Sequence, residues 1–166
     1  MSLYEETFTF SYFDHIITAH SLGTESVPDI SLVTSVHVAP ITNEGKIVAV
    51  HIKGRGFDIP GGHIDANETS PLMALNRELQ EEANITIHTP VLIDILHIQS
   101  QTLNLRDKPY MLLYAARVDH MNDFIEDDEV SERVIMSPDK FITSYFGNRA
   151  YCVQYINRAL TAIGRR

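Results

Sequence analysis

The chain has 166 residues, 44% of them hydrophobic, with a single cysteine and a formal net charge of −9 at pH 7. That length allows one domain with a sizeable core, no apolar run approaches the ~20 residues of a membrane span, and an acidic balance disfavours a long nucleic-acid partner, which calls for a basic footprint. Cys152, the lone cysteine, excludes an intrachain disulfide, suits a reducing cytoplasm and reads as a small buried apolar residue, and the opening MSLYEETFTF has neither the basic nor the apolar segment of a secretory signal.

In chain order, TFTFSYFDHII places Phe8, Phe10 and Tyr12 on one side and reads as a strand, followed by a loop over 19–31. LVTSVHVAPI, then TNEG, then KIVAVHIK reads as strand, turn, strand. The glycine-rich connection GRGFDIPGGHIDANETS leads into a helix with Ser70 as N-cap and Pro71 at its first position. Leu72, Leu75 and Leu79 are its expected apolar stripe. The helix is expected to end at Ala83-Asn84, because Asn is the best non-glycine residue for a left-handed stop. ITIHTPVLIDILHIQ and PYMLLYAARV read as two further strands, with a polar hairpin region between them. DFIEDDEVSE reads as an acidic loop, RVIMS as a short strand and SPDKF as a helix start. Val153, Ile156, Leu160 and Ile163 form a helical stripe to the end. A mixed sheet flanked by one central and one terminal helix is the economical architecture, an α/β (α+β) class.

The central helix poses an electrostatic question. Glu78, Glu81 and Glu82 stand at i, i+3 and i+4, where like charges repel by roughly 0.2–0.5 kcal/mol per pair. They also crowd the helix end that is already negative. A hard divalent cation reverses the sign of both effects, since Mg²⁺ takes oxygen ligands from carboxylates and substrate phosphates. Arg77 precedes Glu81 by four residues and can pair with it. Upstream, Gly61-Gly62 lets the backbone approach a metal or phosphate closely, and Asp65 and Glu68 add two acids. Five carboxylates and a diglycine within residues 61–82 fit a metal-assisted phosphoryl or pyrophosphate site.

This pattern resembles the Nudix (MutT-type) hydrolase family. Its box runs Gly, five residues, Glu, seven residues, Arg-Glu, an aliphatic, any residue, Glu-Glu, any residue, Gly, an aliphatic. Here it reads Gly62, Glu68, then Arg77-Glu78-Leu79-Gln80-Glu81-Glu82-Ala83-Asn84-Ile85, preceded by FDIPGG. Two positions depart: eight residues separate Glu68 from Arg77, and Asn84 replaces the closing glycine. The extra residue falls near Ser70-Pro71, where a loop absorbs it. The resemblance implies a single domain over 1–166 with a three-layer α/β/α sandwich around a mixed sheet, residues 1–31 being an extension of unassigned role. It also implies Mg²⁺- or Mn²⁺-dependent hydrolysis of a diphosphate linkage in a small nucleoside diphosphate derivative. Glu78, Glu81 and Glu82 would hold metal with the Gly61 carbonyl, Glu68 would support them and Arg77 would orient them. A homodimer is compatible with this reading.

For the general base, family members use a box glutamate or an acid in a later loop, and here IEDDE offers Glu126, Asp127, Asp128 and Glu129. The loop is favoured, because a glutamate holding a cation has a lowered pKa and accepts a proton poorly. Lys53 and Arg55 on the strand leading into the box, and His63 within it, are candidate substrate contacts. The stretch Gln101-Thr102-Leu103 lacks the proline or tyrosine that marks some subfamilies, which leans against ADP-ribose and dinucleoside polyphosphate specialists. The alternatives are a Nudix-fold binding or sensing module with little catalysis, and an isomerase of prenyl diphosphates, which would need a reactive cysteine near the box.

Overall fold

The computed structural model describes residues 7–164, so the expectations that touch residues 1–6 lie outside the described residues. The described strands are β1 (Thr7–Tyr12), β2 (His15–Ser21), β3 (Val33–Ile41), β4 (Ile47–Ile52), β5 (Gly56–Asp58), β6 (Gly61–His63), β7 (Ile85–Ile87), β8 (Val91–Ser100), β9 (Tyr110–Met121) and β10 (Val130–Met136). The helices are α1 (Pro71–Glu78), α2 (Pro138–Ser144) and α3 (Arg149–Gly164). One sheet runs β1-β2-β8-β9-β3-β4-β10, with β5 on β4, β6 on β3 and β7 on β9. The β3–β9 pair is parallel and its neighbours β8–β9 and β3–β4 are antiparallel, so the sheet is mixed.

Strand alternation builds two cores. On β4, Val48, Val50 and Ile52 face one way and Ile47 and Ala49 the other. On β9, Leu112, Tyr114 and Ala116 oppose Leu113 and Ala115. The first face is covered by Ala74, Leu75, Leu79 and Ala83 of the glutamate helix, the second by Phe141 of α2 and Tyr151, Tyr155, Ile156 and Ala159 of α3. Each fully buried leucine or isoleucine contributes about 1.5–3 kcal/mol. The result is the expected α/β/α sandwich.

Several boundaries differ from the sequence reading. Residues 7–21 form a hairpin instead of one strand and a loop, turning at Phe13, which takes a left-handed φ of 51°. Phe8 and Phe10 pack edge-on against Tyr151 of α3, while Tyr12 is exposed. The segment 85–99 splits into β7 and β8 around Pro90, which lacks the N–H a continuous strand needs. The single terminal helix is two, α2 and α3, separated by Tyr145–Asn148. The Leu72 side of the expected stripe is wrong: Leu72 is exposed and Ala74 takes its place in the core.

Candidate active site

The helix that carries the glutamates begins as its sequence requires. Ser70 accepts from the Met73 N–H and Pro71 fills the first position. Its last turn, Leu79–Ala83, widens to a π-helical turn and ends on Asn84 in the left-handed region (φ 50°, ψ 51°). The three carboxylates differ in exposure. Glu78 and Glu82 turn into the protein and are buried, whereas the Glu81 side chain is 58% exposed.

Both buried carboxylates meet the diglycine. Glu82 Oε2 accepts from the Gly61 N–H at 3.1 Å. A Cβ on Gly62 would lie 2.3 Å from Glu78 Oε1, so only glycine leaves that carboxylate its place. A Cβ on Gly61 would strike the Val36 carbonyl at 2.5 Å and His37 Nδ1 at 2.4 Å. Burial, joined by the charges of Glu78, Asp58 and Glu129, pushes the Glu82 carboxyl up to about 9. Burial also raises Glu78, against the pull of Arg77.

Arg77 gathers the remaining acids. Its Nε and Nη2 donate to the two oxygens of Glu68 (3.1 and 3.0 Å), and Nη2 also donates to the His63 carbonyl (2.8 Å). Its Nη1 donates to Glu78 (2.8 Å) and Glu81 (3.2 Å), and Asp65 lies 3.2 Å from Nε. Hydrogen bonding to Arg77 holds Glu68 below the usual carboxylate range. Glu68 thus sits on Arg77, nine residues away, and the extra residue before the helix does not prevent the two-pronged pair.

The acidic loop distinguishes its four candidates. Glu126 pairs with Lys53 Nζ at 3.0 Å. Asp127 accepts from the Glu129 and Val130 N–H groups (2.8 and 2.7 Å), which lower its pKa and fix it as a turn residue. Asp128 is exposed. Glu129 alone of the four has a charge that acts on both Glu78 and Glu82.

The candidate substrate contacts are dispersed. Lys53 belongs to the acidic loop: its N–H donates to the Glu129 carbonyl (2.8 Å) and its Nζ to that of Asp127 (2.5 Å). Arg55 lies 3.5 Å from Asp58 and over the Phe146 ring at 5.4 Å. His63 is exposed at the end of β6. Two residues that sequence reasoning passed over adjoin the diglycine. His37, whose imidazole touches Gly61, is held down to about 4 by burial, with His63 and Arg55 adding to the effect. Asp58, in FDIPGG, is pushed up to about 6 by burial. The aspartate directly before the IPGG turn was the available signal. Cys152 is buried, as expected, and its thiol is pushed up to about 12.

The donor set suits a hard cation. Glu82 is buried without an ion pair to any described residue, so near neutral pH it keeps a proton that a divalent ion could replace. Among the described residues no three His, Cys, Asp or Glu side chains already converge as a ligand cluster. Glu78 and Glu81 each give Arg77 Nη1 one carboxylate oxygen, Oε1 and Oε2 respectively.

The NUDIX domain model matches residues 32–154, and the chain belongs to the Nudix domain family. No curated protein matches it by sequence. Among solved structures, a pyrophosphohydrolase of Bacillus subtilis is similar at 16% identity and a TM-score of 0.61, covering 78% of this chain and 76% of that one. The NUDIX domain of Shewanella oneidensis NrtR complexed with ADP ribose is similar at 16% identity and 0.61, covering 79% and 88%. A Caenorhabditis elegans Ap4A hydrolase is similar at 16% identity and 0.58, covering 80% and 99%. These likenesses concern the fold. No helix among the described residues is long and apolar enough to cross a membrane.

Proposed function

We propose that this Nudix chain is a Mg²⁺- or Mn²⁺-dependent hydrolase of a phosphoanhydride bond in a small nucleoside diphosphate derivative, acting in a reducing cytoplasm. The observation that carries the reading is the pair of buried carboxylates, Glu78 and Glu82, packed on the Gly61-Gly62 turn with Glu82 lacking an ion pair to any described residue. Burying ionisable groups this way is costly for a purely structural helix and useful where a cation belongs.

Glu78, Glu81 and Glu82 would hold the metal with the Gly61 carbonyl, and Glu68 supports them through Arg77. When bound, the ion supplies charge for the phosphate oxygens and makes water a better nucleophile. Arg77 keeps Glu78 and Glu81 within reach of one another. Glu129 is the assigned general base, because Glu126 is held by Lys53 and Asp127 by backbone donors. It accepts the proton of the attacking water as the phosphoanhydride bond breaks, and the leaving phosphate departs with the electron pair of that bond.

A binding or sensing module is the second reading, favoured by the hold of Arg77 on Glu78 and Glu81. A panel of nucleoside diphosphate derivatives, nucleoside triphosphates and capped RNA ends, with Mg²⁺ or Mn²⁺ and a coupled phosphatase, separates the two. Turnover of at least one compound, lost with EDTA, is expected. Binding without turnover would favour the sensor.

A further inference from the structure

Asn84 stands where the Nudix box carries glycine, and its side chain makes a contact that glycine cannot. Its backbone is left-handed, a conformation that Asn tolerates and most residues avoid. Its Nδ2 donates to the Asp123 carbonyl at 2.9 Å, and its own carbonyl accepts from the Asn122 N–H at 3.0 Å. Arg133 on β10 completes the join. Its Nη1 donates to the Ala83 carbonyl at the helix end (2.6 Å) and to the Asn122 carbonyl (2.8 Å). Its guanidinium lies over Phe124 at 6.0 Å from the ring centre. A cation at this position also complements the negative end of the helix.

The acidic loop is therefore anchored twice. Residues 122–124 are tied to the helix end by Asn84 and Arg133, and residues 126–129 to β4 by Lys53. Between the anchors the loop stands off the helix over a cleft of about 220 Å³ edged by Glu81, Asn84, Phe124 and Ile125. The Asn84 side chain and Arg133 are the side-chain bonds that join this end of the loop to the helix.

We propose that Asn84 and Arg133 are positioning residues: they fix the acidic loop against the end of the glutamate helix and so aim Glu129 at the space between Glu78 and Glu82. The inference rests on the hydrolase reading above. The glycine of the family motif and the asparagine of this chain are both compatible with the left-handed stop, so what asparagine adds is the bond to the loop. A reacting group displaced by about 1 Å loses as much as a hundredfold in rate, which gives such a bond a catalytic consequence.

The test uses Asn84→Gly, which keeps the left-handed backbone and its bond from the Asn122 N–H and removes only the side-chain bond to Asp123, and Asn84→Asp, which replaces the donor with an acceptor. Hydrogen exchange of residues 122–129 is followed in the full chain without metal, alongside melting temperature and steady-state kinetics with Mn²⁺. Both variants are expected to melt near the wild-type temperature and to exchange faster in that segment. Their kcat should fall by about ten- to a hundredfold with KM for substrate and metal little changed. Unchanged exchange, or faster exchange with wild-type kcat, overturns the proposal. A parallel fall in melting temperature across the whole protein assigns Asn84 a structural role and overturns it as well. A wild-type chain inactive on every compound overturns the hydrolase reading and, with it, the aim given to Glu129; an active wild type with an unaltered Asn84→Gly overturns the positioning role alone.

Discussion

Gly62 and Glu78 share a space that admits only one of a methyl group and a carboxylate: a Cβ on residue 62 would stand 2.3 Å from Glu78 Oε1 and 2.7 Å from its Cδ. The neighbouring Gly61 faces backbone instead, at 2.5 Å from the Val36 carbonyl. The two glycines should therefore fail differently when replaced. Gly62→Ala displaces a side chain, so the fold should survive while kcat drops by about a hundredfold as Glu78 leaves its position. Gly61→Ala forces β6 off β3 and should lower the melting temperature by several degrees. Melting curves and kinetics of the two variants check the contrast.

Glu82 makes the metal-free protein sensitive to alkali. Its carboxyl is at about 9 in the folded chain against 4.5 as a free side chain. Between those values the folded state binds more protons than the unfolded, so this group's contribution is full below about pH 4.5 and is lost as pH rises towards 9. In EDTA, Glu82→Gln should melt above wild type at pH 8.5 and approach it near pH 5. Mn²⁺ at a hundred times its Kd should raise the wild-type melting temperature by about 5–10 °C. At one fixed Mn²⁺ concentration the increment should be larger at pH 8.5 than at pH 6, because the ion competes with the proton, and Glu82→Gln should lose most of it.

How much of this was legible beforehand depends on the range of the forces involved. Local chemistry was readable: Ser70-Pro71 starts the helix, Asn84 stops it, and the apolar run Ile47–Ile52 forms the strand read from it. The unequal burial of Glu81 beside Glu78 and Glu82 was not. Their i, i+3, i+4 spacing is the same in an α-helix and in a π turn, and only the docked helix reveals the wider turn. The inequality of the loop acids was equally hidden, since Lys53 reaches Glu126 from the turn after β4, far along the chain. Leu72 was misassigned because Ala74, a weak hydrophobic signal, fills the core position nearer the sheet. The 85–99 segment was read as one strand although Pro90, which has no N–H to pair, breaks it.

Among the loop acids, Glu129 is the assigned base. Glu129→Gln should cut kcat by ~10²–10⁴, the usual size of a general-base contribution. Glu126→Gln and Asp128→Asn should stay within a few-fold of wild type. Asp127→Asn retains an oxygen for the Glu129 and Val130 N–H groups and should also remain active. Single-turnover rates with each variant separate loss of chemistry from slow product release.

Cys152 offers a check on the isomerase alternative. Its thiol is buried and pushed up to about 12, so it is protonated and shielded at pH 8. A thiol reagent should label the native chain far more slowly than the chain in denaturant. Cys152→Ala should destabilise by about 1–3 kcal/mol through lost packing and leave kcat nearly unchanged. Prompt native labelling with loss of activity would bring cysteine chemistry back.

The central claim is that the buried Glu82 holds a catalytic divalent cation, and the most direct measurement is Mn²⁺ binding by wild type and Glu82→Gln, followed by electron paramagnetic resonance, with kcat on the best substrate at saturating Mn²⁺. The expected result is saturable Mn²⁺ binding by wild type, weakened at least tenfold by the substitution, together with a kcat lower by ~10²–10⁴ in a chain that remains folded. Glu82→Gln with wild-type Mn²⁺ affinity and wild-type turnover would contradict the account.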